Sequence, residues 1–164
     1  MNLSFRLFTT SLVKTITRFA AIFYFVLLFY IFFLARRRRG PTLPWGKRHR
    51  NLIPLKDKFD YFVSQSNVPH PQLREFYIDF FGNIVLFIPF AFCFYFFFRV
   101  KEPRKNILIS VIISISIECI QFVLSIGVAD IDDVILNTTG ATIGVFLLKL
   151  LIKVKVFKKN AQYV

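Results

Sequence analysis

The 164-residue chain has two cysteines, one methionine, one tryptophan and only nine acidic residues, against 22 basic ones. Cys93 and Cys119 both lie inside apolar runs. They give no disulfide framework and no paired-cysteine metal signature, and they read as buried small hydrophobes. The chain contains no Gly-rich phosphate loop, nucleophile elbow or zinc-binding helix motif, and no internal repeat is evident. Charged residues make up 19% of the chain and hydrophobic ones 55%, which leaves too little polar surface to clothe a soluble domain of this size. The same composition excludes intrinsic disorder. In a soluble chain a net charge of +13 suggests nucleic acid. In a membrane chain it reads as loops that meet anionic lipid headgroups, so no nucleic-acid partner is expected.

What the chain does have is long apolar blocks and 23 phenylalanines. Four runs are close to the roughly 20 residues needed to span a bilayer: about 19–35, 80–98, 107–126 and 134–152. The first is followed at once by Arg36–Arg39, whereas a cleaved signal peptide ends in small residues, so a retained helix is expected. Residues 1–18, with Arg6, Lys14 and Arg18 among apolar positions, read as an interfacial lead-in, and 153–164 as a basic tail. The connection 36–79 is rich in proline and charge, and its apolar centre at 51–55 suggests an interfacial or re-entrant turn. The expected fold is an all-α membrane protein with four transmembrane helices. The phenylalanine-rich stretch 92–98 reads as lipid-facing.

Lysine and arginine counts are nearly balanced: an N-inside arrangement puts twelve inside and ten outside. The third connection, 127–133, holds three acids and no base, while the second connection and the tail are basic. That contrast favours a cytoplasmic N-terminus in the plasma membrane.

The polar residues that interrupt the runs gather toward the leaflet bordered by the first and third connections. Ser110, Ser114, Glu118, Gln121 and Ser125 make one stripe along the third span. Asp130, Asp133, Asn137, Gly140 and Gly144 make a matching stripe on the fourth, so the two are expected to pack stripe to stripe. Gly140 and Gly144 permit close backbone approach and offer a face for a homo-oligomer. Asn83 is expected in the opening turn of the second span, and Pro89 removes a backbone donor there. Glu118, near the middle of its run, carries a desolvation cost of about 2.5–3.5 kcal/mol on the lenient insertion scale. It reads either as a protonated interhelical link to Gln121 and Asn137, or as a base, proton carrier or cation ligand. Asp130 and Asp133 are either helix caps or cation ligands. His49 and His70 lack metal-ligand spacing and read as solvent-exposed.

Arg50–Leu55 (RNLIPL), Asn83 with Pro89, Glu118-xx-Gln121, and Asp130–Gly140 with Gly144 together resemble the VanZ-like family of bacterial membrane proteins, over residues 19–152. The resemblance implies a glycopeptide (teicoplanin) resistance accessory role, and it marks Asn51, Pro54, Asn83, Pro89, Glu118, Gln121, Asp130, Asp133, Asn137 and Gly140. Family members usually carry an arginine just ahead of the paired aspartates, and residues 125–129 here have none; Arg50 or Arg74 would have to substitute. The leading expectation is an envelope protein that binds or modifies a lipid-linked envelope component. Glu118, Gln121, Asp130 and Asp133 are the catalytic candidates. Arg50, Asn51, Pro54, Asn83 and Asn137 are the binding candidates. A divalent cation on Glu118, Asp130 and Asp133 is a candidate cofactor. A non-enzymatic scaffold for envelope enzymes and a small proton-coupled transporter are the alternatives.

Overall fold

The computed structural model describes residues 3–35, 50–51, 53–55, 59, 63, 70–124, 126 and 129–161. The chain divides into two compact units, 1–37 and 38–164. In the first, α1 runs over Leu3–Phe29, and one wider π-helical segment, Tyr30–Ala35, continues it. No proline or glycine interrupts this stretch, so nothing in the backbone stops the helix. From Leu3 the expected lead-in is part of the same helix. Arg36–Arg39 lie outside the described residues.

The second unit holds α2 (His70–Phe96), α3 (Pro103–Leu124) and α4 (Ile131–Ala161). Counting α1, four helices are long and apolar enough to cross a membrane, over Thr15–Ala35, Phe76–Phe96, Pro103–Leu124 and Ile131–Val154. The fold is all-α, as expected. Each of the last three helices starts before its apolar run, because polar residues extend it outward. Pro103 opens α3, where a missing N–H costs nothing and the fixed φ suits the first turn. α2 passes through Pro89 and ends at a turn in which the Phe97 N–H donates to the Cys93 carbonyl and the Val100 N–H to the Phe94 carbonyl. Arg99 takes the left-handed conformation there (φ 59°), the position usually given to glycine.

α2 and α4 run parallel, and α3 is antiparallel to both. α4 packs more extensively on α2 than on α3. The reason lies in Gly140 and Gly144, which are both buried. A Cβ built on Gly140 would stand 2.1 Å from the Ile84 carbonyl oxygen, and one on Gly144 2.3 Å from that of Ile88. The backbones are therefore as close as helices without side chains allow. This corrects the stripe-to-stripe expectation: the glycines and Asp133 of α4 face α2, and Asn137 reaches α3. The face offered for a homo-oligomer is occupied within the chain.

The first connection meets the third through a two-residue parallel pairing. β1 (Arg50–Asn51) lies beside β2 (Ala129–Asp130), with Arg50 opposite Ala129 and Asn51 opposite Asp130. Both connections thus sit at the same end of this unit. Most of the remaining first connection, with the expected re-entrant turn, lies outside the described residues, but Ile53, Pro54 and Leu55 form an exposed turn.

At the opposite end the phenylalanines are not all lipid-facing. Phe87, Phe90 and Phe94 are buried and stack in sequence with Phe98, at ring separations of 5.2, 4.4 and 4.7 Å. Only Phe96 and Phe98 of the 92–98 stretch are well exposed. Of the cysteines, Cys93 is buried as expected, whereas Cys119 is exposed on the outer face of α3.

Candidate functional site

Nine polar or charged residues are buried among the described ones. Seven of them (Asn83, Ser114, Glu118, Gln121, Asp132, Asp133 and Asn137) lie toward the end where β1 meets β2. Each of α2, α3 and α4 contributes a polar side chain from within its apolar run, and a buried polar group must find a partner or destabilise the fold. Three bonds tie the helices to one another and to the loops. The Asn83 amide of α2 donates to Asp133 Oδ1 of α4 at 2.6 Å, in a fully buried contact. The Asn137 amide of α4 donates to Ser114 Oγ of α3 at 2.8 Å. The Asp130 N–H of β2 donates to Glu118 Oε2 of α3 at 3.0 Å.

Two further bonds order the start of α4. Asp130 Oδ1 accepts the Asp132 N–H at 2.9 Å, which makes Asp130 the helix cap. Asp132 Oδ1 accepts the Leu55 N–H from the first connection at 2.6 Å. Leu55 adopts φ 59°, an uncommon conformation for a γ-branched residue, and the bond to a buried carboxylate offsets its cost. Thus the cluster also fixes the chain segment that follows β1.

Several positional expectations change. Asn83 is not in an opening turn: α2 begins at His70, and its membrane-capable part at Phe76, so Asn83 is about two turns inside. Glu118 is not at mid-span but in the last two turns of α3, which ends at Leu124. From there its carboxylate reaches the loop, and Asn137 binds Ser114 rather than Glu118. Asp130 caps α4, whereas Asp133 turns inward to Asn83. Gln121 is buried at 4% exposure. Pro54 is exposed; Arg50 and Asn51 are placed through their backbones alone, and His49 is outside the described residues.

Among the described residues no three His, Cys, Asp or Glu side chains come together in a way that could hold a metal ion. Glu118, Asp130 and Asp133 each accept a hydrogen bond from a different protein donor. Sequence reasoning also passed over Asp132, whose face could not be assigned among three acids in four residues, and Asn106. Asn106 is 2% exposed and donates to the Ala91 carbonyl at 3.1 Å, at the far end of the bundle. The buried polar set therefore does not all gather at one leaflet. The signal for Asn106 was its place one turn after Pro103, inside rather than before the helix.

The VanZ/LLP1 family profile matches residues 20–152. The chain belongs to the VanZ/LLP1 family. It is also similar to Protein VanZ of Enterococcus faecium, with 27% identity over 106 residues, covering 65% of this chain and 66% of that protein. No solved structure matches the chain. The family match and the four apolar helices together make it a multi-pass membrane protein. The matched segment contains every residue of the cluster, from Asn83 to Asn137.

Proposed function

We propose that this VanZ-like protein sits in the plasma membrane with its N-terminus cytoplasmic and binds a lipid-linked envelope component at the clustered end. The observation that carries the reading is the convergence of four separate chain segments on one buried polar set. The turn after β1, α2, the end of α3 and the start of α4 are joined there by side-chain bonds. Lys47, Arg48 and Arg50, beside or within β1 in the sequence, supply cations for an anionic phosphate headgroup. By likeness to Protein VanZ, the biological readout is susceptibility to glycopeptides such as teicoplanin.

A second reading, a non-enzymatic scaffold for envelope enzymes, is favoured by the work of the acids: Glu118, Asp132 and Asp133 all accept bonds from protein donors. One substitution separates the two. Glu118→Gln keeps an acceptor for the Asp130 N–H but removes the charge. We expect a chromosomal deletion complemented by Glu118→Gln to show the deletion's teicoplanin phenotype at normal membrane abundance. The wild-type protein in nanodiscs should retain a polyprenyl-phosphate probe and the variant should not. Full complementation without probe binding would favour the scaffold.

A further inference from the structure

Several buried side-chain oxygens among the described residues accept no hydrogen bond, and two of them are amide oxygens on α2 and α4 toward the clustered end. Asn83 and Asn137 are both 0% exposed, and each spends its amide N–H on a neighbour, Asp133 Oδ1 and Ser114 Oγ respectively. Their carbonyl oxygens, Asn83 Oδ1 and Asn137 Oδ1, are buried and accept no hydrogen bond. A buried amide oxygen left without a donor costs about 1–3 kcal/mol, and in an apolar span no bulk water relieves it.

The two oxygens belong to one junction. Asp133 and Asn137 are one turn apart on the same face of α4, and Gly140, the next position on that face, lies against Ile84 beside Asn83. Asn137 therefore stands on α4 between two residues that contact α2, Asp133 and Gly140, while its amide reaches α3. The junction brings together two amide oxygens, the Asp133 carboxylate and the Ser114 hydroxyl, from three helices. These are hard oxygen donors with one carboxylate among them. Such a set is too weakly charged for a divalent ion, in keeping with the lack of any three-carboxylate group among the described residues. It suits a small monovalent cation, as carbonyl oxygens between membrane helices do in general.

We propose that the junction of Asn83, Asp133, Asn137 and Ser114 binds one Na⁺ per chain, which satisfies the two amide oxygens and welds α2 to α4. The site shares Asn83, Asp133, Asn137 and Ser114 with the cluster on which the proposed function rests, but its test uses no lipid substrate, so the two readings fail separately. The purified full-length protein in detergent is melted in NaCl and in choline chloride at equal ionic strength, and binding of ²²Na⁺ is measured at equilibrium. At a sodium concentration ten times the dissociation constant, mass action raises the melting temperature by about 3–6 °C, and the shift goes on rising with the logarithm of the sodium concentration. Binding should approach one ion per chain. Asn137→Leu should abolish both the shift and the binding, while Asn106→Leu, which removes an equally buried amide from the far end, should keep both. Should Asn137→Leu fail to fold, ²²Na⁺ stoichiometry on the wild-type protein decides alone. Equal melting in the two salts with no retained ²²Na⁺ overturns the proposal, and is the result expected if an ordered water fills the junction instead.

Discussion

The two ends of the α2–α4 bundle are held together by different chemistry. At the clustered end, side chains on three helices and two connections exchange specific hydrogen bonds, and most of the buried polar groups are there. At the other end, phenylalanine rings stack through Phe87, Phe90, Phe94 and Phe98, and one amide, Asn106, reaches one backbone carbonyl. Aromatic packing in a membrane is adaptable, since lipid tails are as apolar as the rings. A polar network tolerates few alternatives, because each bond removed strands a partner. The clustered end therefore specifies register, and the aromatic end fills space.

The sharpest break should come where the two ends join. Gly140→Ala places a methyl 2.1 Å from the backbone oxygen of Ile84, and no rotamer change relieves a clash with backbone. We expect a loss of about 3 kcal/mol or more in SDS unfolding from mixed micelles, or failure to accumulate in the membrane. Gly82→Ala is its control, because a Cβ there meets nothing within 4 Å. It should gain about 0.5–1 kcal/mol through helix propensity. Next in size, Asn83→Leu also removes a donor-less amide oxygen but strips the buried donor from the Asp133 carboxylate, and should cost about 2 kcal/mol by the same assay. The smallest effect belongs to the far end. Asn106→Leu loses one bond but also removes a buried amide oxygen that has no donor, so its change should stay within about 1 kcal/mol. A large loss for Asn106→Leu and a small one for Asn83→Leu would invert the comparison.

Sequence legibility follows the same divide. The four spans could be read because apolar runs are long, and Asn83, Glu118 and Asn137 stood out because polar groups inside such runs are costly, whereas Asp133 stood out by its place on the stripe of the fourth span. Helix starts were less visible, since Pro103 and the polar residues from His70 onward continue helices beyond the apolar stretch. The spacing of Gly140 and Gly144 encodes a close approach without naming the neighbour, and the neighbour is α2. Nothing in the residues Arg50–Asn51 announces a strand: two residues carry no period, and their pairing depends on where β2 is brought by α3 and α4. Asp132 and Asp133 differ in role through a rotation of 100° about one helix, which only the packed structure resolves.

The pairing of β1 with β2 has a consequence for the order of assembly. The Leu55–Asp132 bond beside it joins residues 77 positions apart, so the intervening chain must be ordered before the contact offsets the entropy of closing so long a loop. Two strand residues and one side-chain bond cannot nucleate such a closure. They form last, once α2, α3 and α4 have brought Ala129–Asp130 into place. The same contacts should be the first to open, and amide exchange at Leu55 and Asp130 would then time the completion of the bundle.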